Sequence, residues 1–108
     1  RGQSGPGGRV FGEIEFDPVS RLASVRGREI DLTAREVAVL ELLLQRPGRV
    51  VSKQSMVESL YSWDQEANPS AIEVFVSRLR RKLDEAGAGV HVRVLRGLGY
   101  RLELVDHG

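Results

Sequence analysis

The residues best suited to do chemistry lie in the last third of the chain. They form the run Ser70-Ala71-Ile72-Glu73-Val74-Phe75-Val76-Ser77-Arg78-Leu79-Arg80-Arg81-Lys82-Leu83. Ile72, Val76, Leu79 and Leu83 recur at spacings of four, three and four, the stripe of a helix that buries one side. Ser70, Glu73, Ser77, Arg78 and Arg81 fall away from the stripe, so small polar groups and arginines face outward. A duplex major groove is wide enough to admit a helix, and arginine can donate two hydrogen bonds to a guanine edge. Further on comes Val92-Arg93-Val94-Leu95-Arg96-Gly97-Leu98-Gly99-Tyr100-Arg101-Leu102, read as a strand, a glycine-rich tip holding an arginine, and a second strand. A basic helix followed by a basic hairpin is the layout of a winged helix-turn-helix. The bland alternative for the helix is an ordinary solvated face.

Charge supports the sharper reading only once it is mapped. The net charge of the 108 residues is +1. Residues 70–101 carry seven Arg or Lys against three Asp or Glu, and the rest carry nine against twelve. Positive charge therefore gathers at one end, as a footprint on phosphate requires. Enzyme chemistry needs a convergent set of reactive groups. The two histidines, His91 and His107, have no spaced partner, and no P-loop, H-E-x-x-H or metal-ligand spacing occurs. No catalytic residue, metal site or cofactor is expected. The chain has no cysteine, which excludes disulfides and thiolate metal sites. No apolar run approaches the roughly 20 residues that span a bilayer, so no membrane association is expected and the expected compartment is the cytoplasm.

The elements that must position these groups can be read from local signals. Ile14 and Phe16 alternate with Glu13, Glu15 and Asp17, the period of a half-buried strand. Asp17-Pro18 marks a turn, Leu22 to Val25 a second strand, Gly27 another turn, and Arg28 to Asp31 a strand pairing back. This predicts a small antiparallel sheet that must pack on helices. Thr33-Ala34-Arg35-Glu36 matches a capping box, with Val37, Leu40, Leu43 and Leu44 as the buried stripe of a first helix. Pro47-Gly48 ends it, and Val50-Val51 reads as a short extended link. Ser52 caps a second helix with Met56, Val57 and Leu60 inward. Asn68-Pro69 starts the third, which Gly87 and Gly89 stop. The fold class expected is α+β: an N-terminal antiparallel sheet, three helices and a C-terminal β-hairpin wing over residues 9–106. Residues 1–8, with four glycines, read as a flexible linker or tag remnant. The only methionine is Met56, so Arg1 is not expected to be a translation start, and a longer parent protein is expected.

Four blocks carry a resemblance: Leu32-Thr33-Ala34-Arg35-Glu36, Arg46-Pro47-Gly48-Arg49-Val50-Val51-Ser52, Val76 to Leu83, and Arg96-Gly97-Leu98-Gly99-Tyr100. Together they resemble the effector domain of OmpR/PhoB-type bacterial response regulators over about residues 10–105. Leu60-Tyr61-Ser62-Trp63-Asp64 followed by Ala71-Ile72-Glu73-Val74 is most similar to the PmrA/QseB/TctD-like group. The resemblance implies a domain that binds double-stranded promoter DNA as a head-to-tail dimer on direct repeats, below a receiver domain whose phosphorylation drives dimerisation; with no heptad seam and no obvious large apolar patch in the sequence, the isolated domain is expected to be a monomer in solution. It implies that Ser70, Glu73, Ser77, Arg78 and Arg81 face the major groove, Arg78 foremost in base readout. Arg80 is implied as a phosphate or base-edge contact, Arg96 with Gly97 as the wing approach to the minor groove, and Tyr100 as a phosphate donor. Each has a plainer reading: Arg80 as a surface charge, Gly97 and Gly99 as turn residues, and Tyr100 as partly core. Lys82 stands evenly between a solvated charge and a functional one. The family's transactivation loop corresponds here to Trp63, Asp64, Gln65 and Glu66, where RNA polymerase contact and simple packing weigh equally. Phe75 and Val94 depart from the His and Thr common in relatives, which would remove two backbone contacts. A winged-helix protein-interaction module without DNA affinity is the competing function.

Overall fold

The computed structural model describes residues 9–61 and 68–105. Four short strands come first: β1 (Arg9–Phe11), β2 (Ile14–Asp17), β3 (Leu22–Val25) and β4 (Arg28–Glu29), paired antiparallel in that order. Alternation puts Ile14, Phe16, Ala23 and Val25 on the buried face, as the period-two pattern predicts. Arg26 and Gly27 both have positive φ, and Val25 pairs with Arg28 across them, which is the two-residue hairpin geometry that matches strand twist.

Helix α1 (Ala34–Gln45) starts at the expected capping box. The Glu36 amide donates to the Thr33 hydroxyl oxygen at 3.2 Å, and the Thr33 amide donates to the Glu36 carboxylate at 2.9 Å. Its buried arc is wider than the expected stripe, because Val39 and Glu36 join Val37, Leu40, Leu43 and Leu44. The helix packs against both other helices, β1 and two strands of the C-terminal sheet, so more than one of its sides is covered. Helix α2 (Lys53–Leu60) is capped by Ser52, which accepts from the Ser55 amide at 3.0 Å. Met56 and Leu60 are buried, while Val57 is only half-buried at the edge of the core. Helix α3 (Pro69–Ala86) starts with Pro69 in its first turn and no side-chain cap from Asn68. It ends at Gly87, whose left-handed backbone (φ 69°) ends the helix.

One expectation needs correction. Val50-Val51 is no mere link but strand β5 (Val50–Val51), which pairs with β7 (Gly99–Leu104), itself paired with β6 (Val90–Leu95). The wing is thus a three-stranded sheet with β7 central. Two valines give no periodicity to read, and their partner lies some fifty residues away, so pairing at that range decides what local pattern cannot. The buried faces of the two sheets and the three helices share one core that runs from Phe16 through Leu40 and Leu79 to Leu102.

Candidate nucleic-acid interface

Helix α3 divides as its spacing demands. Ile72, Val76, Leu79 and Leu83 are buried, and Ser70, Glu73, Ser77, Arg78 and Arg81 are exposed. Arg80 is half-buried and sits toward the side of the helix that Glu73 occupies. Val74, 44% exposed, stands in the middle of this face, four residues after Ser70 and four before Arg78. Its helical spacing to Ser70, Ser77 and Arg81 was the signal that could have found it.

The wing tip is the tight turn Arg96-Gly97-Leu98, closed by a 2.9 Å bond from the Leu98 amide to the Leu95 carbonyl. Arg96, Gly97 and Leu98 are all exposed. Gly97 has φ 76° with open space around it, so the turn itself needs its conformation and not its lack of a side chain. Gly99 is different. A Cβ on it would lie 2.2 Å from the Val51 carbonyl oxygen, so its bareness lets β7 close on β5. Tyr100, in the middle of that sheet, is 5% exposed, so the core reading holds for its ring. Burial raises its pKa, the Lys53 ammonium nearby opposes this, and Glu73 adds to it.

Between the wing and the N-termini of α2 and α3 lies a groove of about 630 Å³. Lys53, Gln54, Glu73, Val94, Arg96 and Tyr100 are among the residues lining it. Lys53 donates to the Glu73 carboxylate at 2.8 Å across its floor, and that partner raises the Lys53 pKa. Lys53 did not figure among the expected site residues. Ser52-Lys53 reads locally as a helix start, and nothing in its neighbourhood of the sequence signals a partner twenty residues on.

The basic residues of α3 and the wing sort into two sets. Arg93 and Arg101, cross-strand neighbours, both pair with Glu103 on the outer face of the wing. Lys82 pairs with Glu36 at 2.7 Å and donates to the Asp31 carbonyl at 2.9 Å, so its charge serves the interior of the fold. Arg78, Arg80, Arg81 and Arg96, by contrast, make no ion pair among the described residues. Three of these arginines lie along one helix, and the fourth caps the wing beside it. Trp63, Asp64, Gln65 and Glu66 lie outside the described residues, as does His107. Among the described residues no group of three or more His, Asp or Glu is placed to hold a metal ion, and no helix is long and apolar enough to cross a membrane.

Three helices, a strand sheet before them and a hairpin after them, with arginines on the third helix and the tip that make no ion pair among the described residues, define a winged helix-turn-helix domain. The family model for the C-terminal domain of transcriptional regulatory proteins matches residues 27–102, and the chain belongs to that family, as an effector domain of the OmpR/PhoB type. A probable transcriptional regulatory protein, y4xI of Sinorhizobium fredii, is 42% identical over 89% of this chain and 42% of its own length. The response regulator protein PmrA of Pseudomonas aeruginosa, of the group singled out from the sequence, is 38% identical over 87% of the chain and 41% of its own. The chain thus spans about two fifths of the length of these curated relatives. The crystal structure of the DNA binding domain of CpxR from E. coli superposes with a TM-score of 0.77, at 28% identity, over 95% of this chain and all of that one.

Proposed function

We propose that this chain is the sequence-specific DNA-binding effector domain of a two-component response regulator and controls transcription from promoters. The observation that carries the reading is the clustering on α3 and the wing tip of four arginines that make no ion pair among the described residues. Arg78 and Arg81 lie on the exposed face of α3, with Arg80 beside them, and Arg96 stands at the wing tip across the groove. Family membership and the likeness to a domain described as DNA binding support it. In this reading α3 enters the major groove. Ser70, Glu73, Ser77, Arg78 and Arg81 face base edges, and Val74 is placed for a thymine methyl. Arg80 and the Tyr100 hydroxyl contact backbone, while Arg96 and Gly97 approach the minor groove, where a narrow A·T tract holds enhanced negative potential.

The finer proposal is an isolated monomer that binds in tandem on direct repeats, half-sites about one helical turn apart. Head-to-tail packing uses different surfaces on the two copies, unlike a two-fold dimer. A receiver domain precedes it in the full-length cytoplasmic protein, and RNA polymerase meets the loop at Trp63, Asp64, Gln65 and Glu66. Electrophoretic shifts at two salt concentrations test the reading. Affinity that falls steeply with salt is expected, because neutralised phosphates release counterions. Absence of salt-dependent binding would instead indicate a protein-interaction module. Footprints on direct and inverted repeats with matched half-sites test the tandem arrangement, and preference for the inverted repeat would overturn it.

A further inference from the structure

Glu73 places a carboxylate on a face that otherwise suits a polyanion. In the free domain that carboxylate holds Lys53, 2.8 Å away, at the first residue of α2 and on the floor of the groove closed by the wing. The two side chains are 66% and 39% exposed, so the pair is wet and exchangeable. Pairs of this kind shift an equilibrium by about fivefold at most. A duplex offers each member a separate replacement. A phosphate oxygen competes for the ammonium, and the exocyclic amino group of cytosine can donate to the carboxylate. The exchanges are coupled. If Lys53 leaves for a phosphate where no base donor faces Glu73, a bare carboxylate is left against the polyanion.

Resting on the DNA-binding reading above, we propose that Lys53 is a further DNA-contact residue and that Glu73 gates it. Glu73 withholds Lys53 from phosphate on unsuitable sequence and releases it where a base pair presents a donor. The pair then converts one base contact into an added backbone contact, which raises discrimination rather than overall affinity.

The test uses the 108-residue chain, Glu73→Gln and Lys53→Met. Each is titrated against a duplex selected from a randomised pool by the wild-type chain, and against a scrambled duplex of the same composition, over a series of KCl concentrations. Glu73→Gln should bind the scrambled duplex about three- to fivefold tighter. Its slope of log affinity against log salt there should steepen by about 0.9, the release of one more counterion. Its binding to the selected duplex should not improve. Lys53→Met should lose affinity and about 0.9 of slope on the selected duplex, whereas on the scrambled one the bared Glu73 carboxylate costs affinity but the slope hardly changes. Equal loss of slope on both duplexes would make Lys53 an ungated phosphate contact, and no change of slope on either would mean the pair stays closed on DNA. Both results overturn the gate. A wild-type chain that binds neither duplex even at low salt overturns the DNA-binding reading and the gate with it. Wild-type binding with unresponsive variants overturns the gate alone. Thermal melting of each variant confirms that the fold is intact.

Discussion

Helix α3 is tied to a neighbouring helix near each end, and the two ties are opposite in build. Toward its C-terminus Lys82 meets Glu36 of α1, whose side chain is 1% exposed. Toward its N-terminus Glu73 meets Lys53 of α2 in open water. The first carboxylate has no solvent to fall back on, so its pairing is obligatory and fixes how α3 crosses α1. The second, exposed to solvent on both sides, can trade partners at little cost. The N-terminal half of α3 is instead held by its buried Ile72 and Val76 and by packing against α2, while the wing beside the groove is closed by the β5–β7 pairing that Gly99 permits. Structure is invested in one end of the helix and adaptability in the other.

The contrast can be broken most sharply at Gly99. With φ 142° and a Cβ 2.2 Å from the Val51 carbonyl oxygen, Gly99→Ala should cost more than about 3 kcal/mol, since backbone must move to make room. Gly97→Ala, two residues away in open space at φ 76°, should cost only about 1 kcal/mol. Urea unfolding of both variants checks the difference, and equal losses would show that β5 does not hold the wing.

Next in size is the obligatory pair. Lys82→Met leaves the Glu36 carboxylate buried without its counter-charge. It should destabilise by about 3 kcal/mol, the low end for an orphaned buried charge because Lys82 is itself a third exposed. The same pair predicts an acid limb. Burial alone would raise the Glu36 pKa, but the bond from Lys82, the Thr33 amide and the Lys82 charge outweigh it and hold the carboxyl below its usual 4.5. Its stabilisation is therefore complete above about pH 4.5 and is lost as the pH falls through the lowered value. Urea midpoints measured from pH 7 down to 3 should fall less steeply in Glu36→Gln than in the wild type. Matching acid limbs would remove Glu36 from the account.

Arg78→Ala probes the exposed face between the two ties. It should leave the unfolding midpoint unchanged and cost about 1–3 kcal/mol of affinity at a selected duplex, with discrimination relaxed at one base position. Equal loss on selected and scrambled DNA would make Arg78 a phosphate contact. The smallest effect is expected where the tie is open. Glu73→Gln and Lys53→Met should each shift stability by no more than about 0.5 kcal/mol in thermal or urea melts. A loss near that of Lys82→Met would erase the distinction between the two ends.

Much of this was legible in the chain because the signals were local. The capping box at Thr33 and Glu36, the cap at Ser52, the stop at Gly87 and the stripe from Ile72 to Leu83 each lie within a few turns of one helix, and each stands in the structure as expected. The exposure of Ser70, Ser77, Arg78 and Arg81 followed from that stripe by helical geometry alone. What escaped reading depends on residues far apart. Lys82 was left evenly between two roles, because its partner Glu36 sits 46 positions away and already had a full local explanation as a capping residue. Lys53 had no visible role, because Glu73 comes beside it only when α2 and α3 pack.

By itself, then, the sequence determined the helices, their caps, the inward stripes and the basic helix-and-tip pattern, because hydrophobic period and capping act over one to two turns. Only tertiary structure decided that Val50-Val51 is the third strand of the wing, that Tyr100 turns its ring into the core, and which cations find an ion pair among the described residues. Those outcomes are set by strand pairing and desolvation between distant segments, and neither force leaves a mark on the residues adjacent in the chain.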